Sequence, residues 1–582
     1  MQKYYQTTIR LWNLLKPFHK HFYLQILLNA LDQFLKISST YIIARILDAL
    51  ISKNINFLIY MFCSYILVNI FSDLVGYISI RNTLKNLEQS VIGYLQIFSL
   101  KNIFNLNISQ YTEDHSAIKL QIVDRGEAAT QELLNICLMI MLPFFLQTFF
   151  ILVVVAFYSV FVALVAFFTI LTTIIWSNYF ANYHRPFIRK TIEKWDFFRK
   201  MRTEAFQHLS LVKVSAAENS YSNLYSKERT LVQSIHLETW TMNQNFTFKR
   251  NIFLTISRLI AVLILIFAFL KSTITAGSVY AILSWVNQLY QNIKDIVKAV
   301  RQVPLRFVEI EKYLDVIDKK PAFFENGKEK FVAGDIVFKD LSFKYPKSEQ
   351  EVLQNISLTI PYGKKVAFVG TSGSGKSTII KLLLRIYDYT SGEILIKNIF
   401  LRDINAKNLR HNIGYVEQHV DLFDATIREN ILFGLTNDKE KNKVDEKKIK
   451  EVVHKARIDQ FFHRIKESGL DTVIGERGVK LSGGERQRIG IARALIKDPA
   501  ILIFDEATAS LDTENEKYIQ EAIDESSVGR TSIIIAHRLS TVQNADIIFV
   551  IDKGSLVAQG THDELLESSP EYQVLIKNQH AK

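Results

Sequence analysis

Gly370-Thr371-Ser372-Gly373-Ser374-Gly375-Lys376-Ser377 is the stretch that decides the fold. It fits G-x-x-x-x-G-K-[ST], the phosphate-binding loop. Lys365-Val366-Ala367-Phe368-Val369 before it reads as a buried strand, and the run from Thr378 to Leu384 after it reads as a helix. That strand–loop–helix setting is what the motif requires. The glycines let the backbone curl so that successive N–H groups point at an anion. The new helix adds its positive dipole end. Lys376 supplies a mobile cation for the outer phosphates, and Ser377 offers a hydroxyl to Mg²⁺. The loop predicts nucleotide binding, and the rest of the chain must show what the nucleotide drives.

Three further strands point chemistry toward the same loop. Ala500-Ile501-Leu502-Ile503-Phe504 ends in Asp505-Glu506. Parallel strands deliver ligands at their carboxyl ends. Asp505 would hold Mg²⁺, directly or through water, and Glu506 would polarise the attacking water as general base. A plain charged turn is the competing reading, but adjacent carboxylates repel unless a cation lies between them. Ile413-Gly414-Tyr415-Val416 ends at Glu417-Gln418, and a neutral amide there can reach the metal ion or the water. Ser532-Ile533-Ile534-Ile535-Ala536 ends at His537, placed to sense a γ-phosphate. Leu481-Ser482-Gly483-Gly484-Glu485-Arg486-Gln487 opens a helix whose N–H groups form a second anion site. One chain already has its own phosphate loop, so this second site makes sense if it serves another subunit. Tyr345, before Pro346, could stack on adenine or could simply pack. Asp335–Phe338 and Leu341–Phe343 alternate like a strand pair.

The other half of the chain is of a different kind. At 582 residues the sequence is too long for one ordinary domain. Its mean hydropathy is +0.10 although 22% of it is charged, which implies two unlike halves. Of the 40 phenylalanines most lie before residue 310. Six apolar segments occupy about 21–51, 56–80, 131–157, 160–180, 251–270 and 278–303. A bilayer core needs about 20 helical residues, so the excess should project as helix beyond the lipid. Two long basic connections, 81–130 and 181–250, lack Gly and Pro enough to read as helix extensions. Their expected tips are Ser109–Ser116 and Ala216–Ser220, either pressing on a cytoplasmic partner or forming plain loops. Arg10, Lys16 and Lys20 precede the first segment, and the short opposite turns carry only Lys53 and Lys271 as clear cations. That asymmetry puts the N-terminus, both long connections and the C-terminus inside.

The resulting division is an interfacial segment 1–20, a transmembrane domain 21–304, a linker 305–334 and a nucleotide domain 335–582. Pro304 is expected to end the sixth segment. The first 20 residues read as an amphipathic surface segment, since no small-residue cleavage site follows to make a signal peptide. Asp32, Lys36, Asp73, Arg258, Lys294, Asp295 and Lys298 interrupt the apolar runs. They should face protein or a wet cavity, or lie outside the hydrocarbon, either in a translocation role or in plain interhelical pairing or a cytoplasmic helix extension. The Phe-rich faces read as lipid-facing. The net charge of +12 belongs with cytoplasmic loops beside an anionic leaflet, and no aromatic-and-basic motif points to nucleic acid. Cys63 and Cys137 lie far apart inside apolar runs and read as buried thiols with no redox or metal role.

These residues together resemble the ABC transporters, and the whole chain resembles a half-transporter of the exporter type. The resemblance implies an all-α six-helix transmembrane domain with long cytoplasmic helix extensions, followed by an α/β P-loop ABC ATPase domain. It makes Tyr345 the stacking aromatic, Gly370–Ser377 with Thr378 the Walker A loop, and Gln418 the Q-loop glutamine. Ser482, Gly483, Gly484 and Glu485 fall in the signature, Asp505 in Walker B, Glu506 at the catalytic base and His537 in the H-loop. Ser510-Leu511-Asp512 matches the D-loop, and Gly475-Glu476-Arg477-Gly478 looks like the exporter X-loop. Ser377, Gln418 and Asp505 would be the Mg²⁺ side of the site. Ala509 before Ser510, and Glu417 before Gln418, depart slightly from the usual pattern without removing a catalytic group.

The resemblance implies an ATP-driven exporter or flippase, embedded in membrane lipid, in a bacterial inner membrane with the ATPase domain cytoplasmic. Two chains would form it, each ATP lying between Walker A of one and the signature of the other. An ATP-gated regulator or channel on the same scaffold is the alternative. A soluble ATPase acting on DNA or ribosomes is opposed by the six apolar segments. The transported substrate (lipid, lipid-linked glycan, drug-like molecule or peptide) is open, although no protease-like segment precedes the spans. Homodimer and heterodimer are equally open.

Overall fold

The structure is a computed structural model and describes residues 2–113, 116–271, 273–323, 325–346, 348–435, 438–462, 469–475, 478–506, 513–536 and 542–580. The chain divides into two compact units. One comprises Met1–Phe104 with His115–Lys319, and the other Asn105–Asp114 with Lys320–Lys582.

The first unit is helical throughout. An N-terminal helix α1 (Gln2–Leu14) precedes α2 (His19–Ile51) and α3 (Ile55–Asn82). A wider π turn at Thr83–Gln89 carries α3 on into α4 (Ser90–Phe104). After α5 (Ile108–Glu113), helix α6 (Ser116–Asn135) runs through a second π turn into α7 (Leu142–Tyr158). Then come α8 (Val160–Gln207), the short α9 (Leu209–Val214), α10 (Glu218–Leu270) and α11 (Ala276–Ile317). The six long helical paths expected from the sequence are therefore present, and both basic connections are helix extensions. Among the described residues, Ile55–Phe104, Leu120–Tyr158, Val160–His184 and Glu218–Leu270 are long and apolar enough to cross a membrane. Their outer faces expose large apolar side chains, Phe157 at 87% and Phe161 at 72% being extreme.

Two boundaries differ from the sequence reading. Pro304 does not end its helix: α11 continues to Ile317. Proline removes one N–H and crowds the preceding turn. Packing on both sides outweighs that cost, since Ile293, Ile296 and Val297 before it and Ile310, Tyr313 and Leu314 after it are all buried. The second tip comprises α9 and the turn to Ala217, where Ala216 has φ 47°, and Glu218–Ser220 already belong to α10.

A polar seam joins α2 to α3. Gln25 Nε2 donates to Ser79 Oγ at 2.7 Å, Ser79 Oγ to Asn29 Oδ1 at 3.3 Å, and Asn82 Nδ2 to Gln25 Oε1 at 3.0 Å. One turn further, the buried Asp32 takes Lys36 Nζ at 2.7 Å and Ser72 Oγ at 3.4 Å. Asp32 and Lys36 thus pair with each other, which is the way a charge survives in an apolar setting. Asp73 and Arg258 are exposed, and the side chains of Lys294, Asp295 and Lys298 lie outside the described residues.

The second unit is built on two sheets. β1 (Ile336–Lys344), β2 (Glu351–Ile360), β4 (Ser391–Ile396) and β5 (Ile399–Phe400) form an antiparallel sheet in the order β2-β1-β4-β5. The expected strand pair 335–338 and 341–343 is one strand, β1, with an irregular register at Asp340, whose φ is 45°. That irregularity turns both Phe338 and Leu341 into the core. The larger sheet has the order β10-β9-β3-β8-β7-β6. Its strands are β3 (Lys365–Val369), β6 (Ile413–Val416), β7 (Ile501–Asp505), β8 (Thr531–Ile535), β9 (Ile547–Asp552) and β10 (Ser555–Gly560). All neighbours are parallel except β9 and β10. β7 and β8 are buried along their whole length, as continuous apolar runs flanked by helices demand. One face of this sheet and the antiparallel sheet enclose helix α12 (Lys376–Leu383) with Phe338, Leu353, Phe368, Ile379 and Phe549.

The seat of α6 on α11 gives a direct test of packing. A Cβ on Gly126 would lie 2.1 Å from Tyr313 Cβ. Gly126→Ala should therefore destabilise the protein by about 1–3 kcal/mol through overpacking, read as a lowered melting midpoint in detergent.

Candidate nucleotide-binding site

The phosphate loop is shaped by two glycines that nothing else can replace. Gly370 has φ 154°, and a Cβ there would lie 2.0 Å from the carbonyl oxygen of Ile551. Gly375 has φ 105°, and its Cβ would lie 2.6 Å from Leu353 Cδ2. Thr371, Ser372 and Gly373 are exposed on the outside of the curve, while Ser374 and Gly375 are buried beneath it. Gly554 N donates to the Ser374 carbonyl at 3.1 Å, so the β9–β10 turn braces the loop.

Lys376 opens α12 and is only 4% exposed. Its Nζ lies 2.9 Å from the carbonyls of both Gly370 and Thr371 and 3.5 Å from Ser374 Oγ. Burial pushes its pKa down, while Glu506 and Asp505 pull it back up. The ammonium is thus held at the mouth of the curl by weak neutral acceptors, in a position that phosphate oxygens fit.

The sheet brings the acids to it. β7 lies next to β8, which lies next to β3. Asp505 closes β7, with Oδ1 3.3 Å from Ser377 Oγ and Oδ2 3.2 Å from Tyr415 OH. Burial raises the Asp505 pKa, against the hydrogen bonds from Tyr415 and Ser377. A hydroxyl and a half-desolvated carboxylate this close are hard oxygen ligands that suit Mg²⁺. Glu506 follows with φ 50°. That left-handed backbone costs on the order of 1 kcal/mol in a non-glycine residue and turns the chain off the sheet at once. The turn presents its carboxylate to Gln418, whose Nε2 donates to Glu506 Oε2 at 2.6 Å. Lys376, Ser377, Gln418, Asp505 and Glu506 therefore meet at the carboxyl ends of three parallel strands.

Tyr345 follows β1, its hydroxyl 3.0 Å from Thr378 Oγ1. Its ring stands edge-on to Phe343 at 4.9 Å and Tyr387 at 5.0 Å. It is therefore tied to the start of α12, half-buried and packed against two aromatic rings. Ser482 caps the helix Gly483–Leu495 through a capping box: Glu485 N donates to Ser482 Oγ at 3.3 Å and Ser482 N to Glu485 Oε2 at 2.7 Å. Gln487 on that helix donates to the carbonyls of Glu417 at 3.1 Å and Gln418 at 2.6 Å. His537, Ser510-Leu511-Asp512, Glu476 and Arg477 lie outside the described residues. The contacts of Tyr415 with Asp505 and of Gln487 with the segment after β6 are not announced by their places in a strand and a motif. Alternation along β6 was the available signal for Tyr415, which sits opposite Ile503 in the ladder with β7.

Residues 353–509, which hold this arrangement, match the family model described as ABC transporter. The chain as a whole has the fold of a solved bacterial ABC exporter. It overlays a solved structure described as a bacterial Atm1-family ABC exporter with ATP bound, with a TM-score of 0.83 over 98% of this chain and 99% of that one, at 23% identity. Among curated relatives, the ATP-dependent lipid A-core flippase of Escherichia coli (strain K12) is 41% identical over 315 residues, 54% of this chain and 53% of the relative. The flippase of the same name from Shigella boydii serotype 4 (strain Sb227) matches to the same extent. The chain spans about half the length of the curated relatives it matches. With the apolar helices, these likenesses make it an integral membrane protein.

The Tyr415–Asp505 bond yields a prediction about metal use. Tyr415→Phe removes a donor that holds the carboxylate in its charged form. The Mg²⁺ concentration for half-maximal ATP turnover should rise about fivefold, the equivalent of one net hydrogen bond of about 1 kcal/mol. Burial already favours the protonated form of Asp505, so protons would compete with Mg²⁺ held there, and the requirement should climb as pH falls, earlier in the variant.

Proposed function

We propose that the chain is one half of an ATP-driven exporter or flippase, in which ATP binding and hydrolysis drive inward-to-outward alternating access. The observation that carries this reading is the convergence of Lys376, Ser377–Asp505 and Gln418–Glu506 at one sheet edge. Lys376 would exchange its carbonyl acceptors for the outer phosphates of ATP. Ser377 and Asp505, with Gln418 nearby, would hold Mg²⁺, which when bound screens the phosphates and polarises them for attack. Glu506, released from Gln418, would accept the proton of the attacking water, its carboxylate held out by its own backbone turn. Tyr345 would stack on adenine, and His537 would contact the γ-phosphate.

The second chain enters through Ser482, Gly483 and Gly484. Their helix end is already ordered by its own capping box, so it can meet phosphate without rearranging. Each of two ATP molecules would then lie between Gly370–Thr378 of one chain and Ser482–Glu485 of the other. The apolar helices support residence in a bacterial inner membrane with the ATPase domain cytoplasmic, and the flippase relatives support an amphipathic, lipid-like substrate. An ATP-gated channel on this scaffold would lack vectorial movement.

The tests are direct. Glu506→Gln, in purified protein reconstituted in lipid, should lower ATP turnover at least 100-fold while retaining ATP binding. Unchanged turnover would remove Glu506 as the base. Lys376→Ala should weaken both turnover and the ATP-dependent approach of two ATPase domains, and intact approach would overturn the shared site. A fluorescent lipid A-type substrate in proteoliposomes should change leaflet only with the wild-type chain and ATP.

A further inference from the structure

The segment Asn105–Asp114 is covalently continuous with α4 on one side and α6 on the other, yet it groups with the ATPase unit. What holds it there is the stretch 320–325, through paired amide side chains. Asn107 Nδ2 donates to the Phe323 carbonyl at 3.3 Å, and Phe323 N donates back to Asn107 Oδ1 at 3.1 Å. Gln110 Nε2 donates to the Lys320 carbonyl at 3.0 Å, and its Oε1 accepts from Ala322 N at 3.1 Å. Each amide reads both a carbonyl and an N–H of the linker backbone, as a neighbouring strand would. Asn107 Nδ2 also lies 2.9 Å from Glu325 Oε1.

Glu325 faces the other way as well. Its two oxygens pair with Arg410 Nη1 and Nη2, both at 3.0 Å. Arg410 sits on α13 (Ala406–His411) and spends its remaining donors on the end of another helix. Its Nε reaches the carbonyl of Leu384 at 2.9 Å, and its Nη2 that of Arg385 at 2.7 Å. Leu384 and Arg385 terminate α12, the helix that begins at Lys376. Arg410 is therefore the C-terminal cap of the phosphate-loop helix, a cation placed on its negative dipole end. Arg385 stacks back over the Phe323 ring at 6.0 Å, closing a loop of contacts. Burial raises the Glu325 pKa, but Arg410 and Asn107 outweigh it and hold the pKa below the usual carboxylate value, so the pair stays charged at neutral pH.

We propose that Glu325 is a positioning residue that links the phosphate-loop helix, through Arg410, to Asn107 at the 105–114 turn, so that nucleotide-driven movement of α12 is delivered to α4 and α6. The inference rests on the exporter reading above and deepens it by assigning the transmission route to the linker. Both ends of α12 are then in use: phosphates engage its N-terminus, and the Arg410–Glu325 fork reports its C-terminus. A fork of two parallel charged hydrogen bonds fixes direction as well as distance, which a single contact would not.

The test uses the full chain with Cys63 and Cys137 replaced by serine, a spin label on Lys53→Cys, and lipid nanodiscs. Two quantities are read: basal ATP turnover, and the label-to-label distance change between two copies on adding ATP with vanadate. Glu325→Gln loses the fork, and Asn107→Leu loses only the turn's side of the relay. Both should keep turnover within about twofold of the parent and lose more than half of the distance change, and Glu325→Asp should restore part of it. A full distance change in both variants overturns the relay. Turnover and distance change falling together also overturns it, because Glu325 would then only stabilise the ATPase domain. If Glu325→Gln does not fold, Asn107→Leu decides alone. A parent with no distance change overturns the alternating-access reading, and the relay with it.

Discussion

One buried ammonium organises the ATPase unit. Lys376 Nζ lies among backbone carbonyls at 2.9 Å, almost fully removed from water. A buried cation is tolerated only where partners surround it. Here carbonyls solvate it closely and the carboxylates of Asp505 and Glu506 favour its charge from further away. The neighbouring features answer the same need. Gly370 must lack a Cβ for the curl to close over the ammonium, and Ser374 must be pinned by Gly554 for the curl to hold its shape. β7 must run beside β8 and β8 beside β3 for the acids to reach the same end of the sheet. The site is thus a balance of charge prepared before any anion enters. An arriving polyanion meets a cation whose present acceptors are neutral and are easily exchanged.

The helical unit solves the opposite problem. Its outer faces expose large apolar side chains, and the buried polar groups of the α2–α3 contact are turned onto each other. Asp32 shows the rule: isolated in a bilayer it would cost roughly 2.5–3.5 kcal/mol, yet Lys36 and Ser72 satisfy it within the α2–α3 contact. Gln25, Ser79, Asn82 and Asn29 extend the same pairing along the seam. Apolar surface alone cannot fix the register of two helices in lipid, because lipid tails compete equally for it. Directional hydrogen bonds can. The seam therefore specifies how α2 meets α3, and it does so on the helix that carries the most ionisable residues among the early ones.

Local chemistry was legible in the sequence, and long-range pairing was not. The phosphate loop, the Asp505–Glu506 pair and the Ser482–Glu485 helix start each occupy a few consecutive residues whose types imply a geometry, and the structure places each at the expected end of its strand or helix. The alternation around Asp335–Phe343 was seen, but as two strands, because a single left-handed residue at Asp340 shifts the phase without any glycine to mark it. Local rules make Pro304 a stop, whereas the burial of Ile310 and Tyr313 that carries α11 past it is a tertiary fact. Glu325 and Arg410 are 85 residues apart, and neither has a neighbour that advertises the other. The same holds for Gln418 and Glu506, whose bond depends on a φ of 50° that no residue pattern encodes.

Gln418 shows how these separate constraints combine. Its side chain donates to Glu506, and its carbonyl accepts from Gln487 on the helix that starts at Ser482. One short segment after β6 is therefore gripped from two directions, by the residue after β7 and by the signature helix. Moving either grip strains the other, since Glu506 already sits in a left-handed backbone conformation that costs on the order of 1 kcal/mol. A cation at Asp505, drawing on the same side chains, would compete with the Gln418–Glu506 bond and release that carboxylate. The amide would then be free to follow the ion while its carbonyl stayed fixed to Gln487. Metal engagement would then change the partner of the Gln418 side chain while its backbone contact to the helix that starts at Ser482 is kept through Gln487.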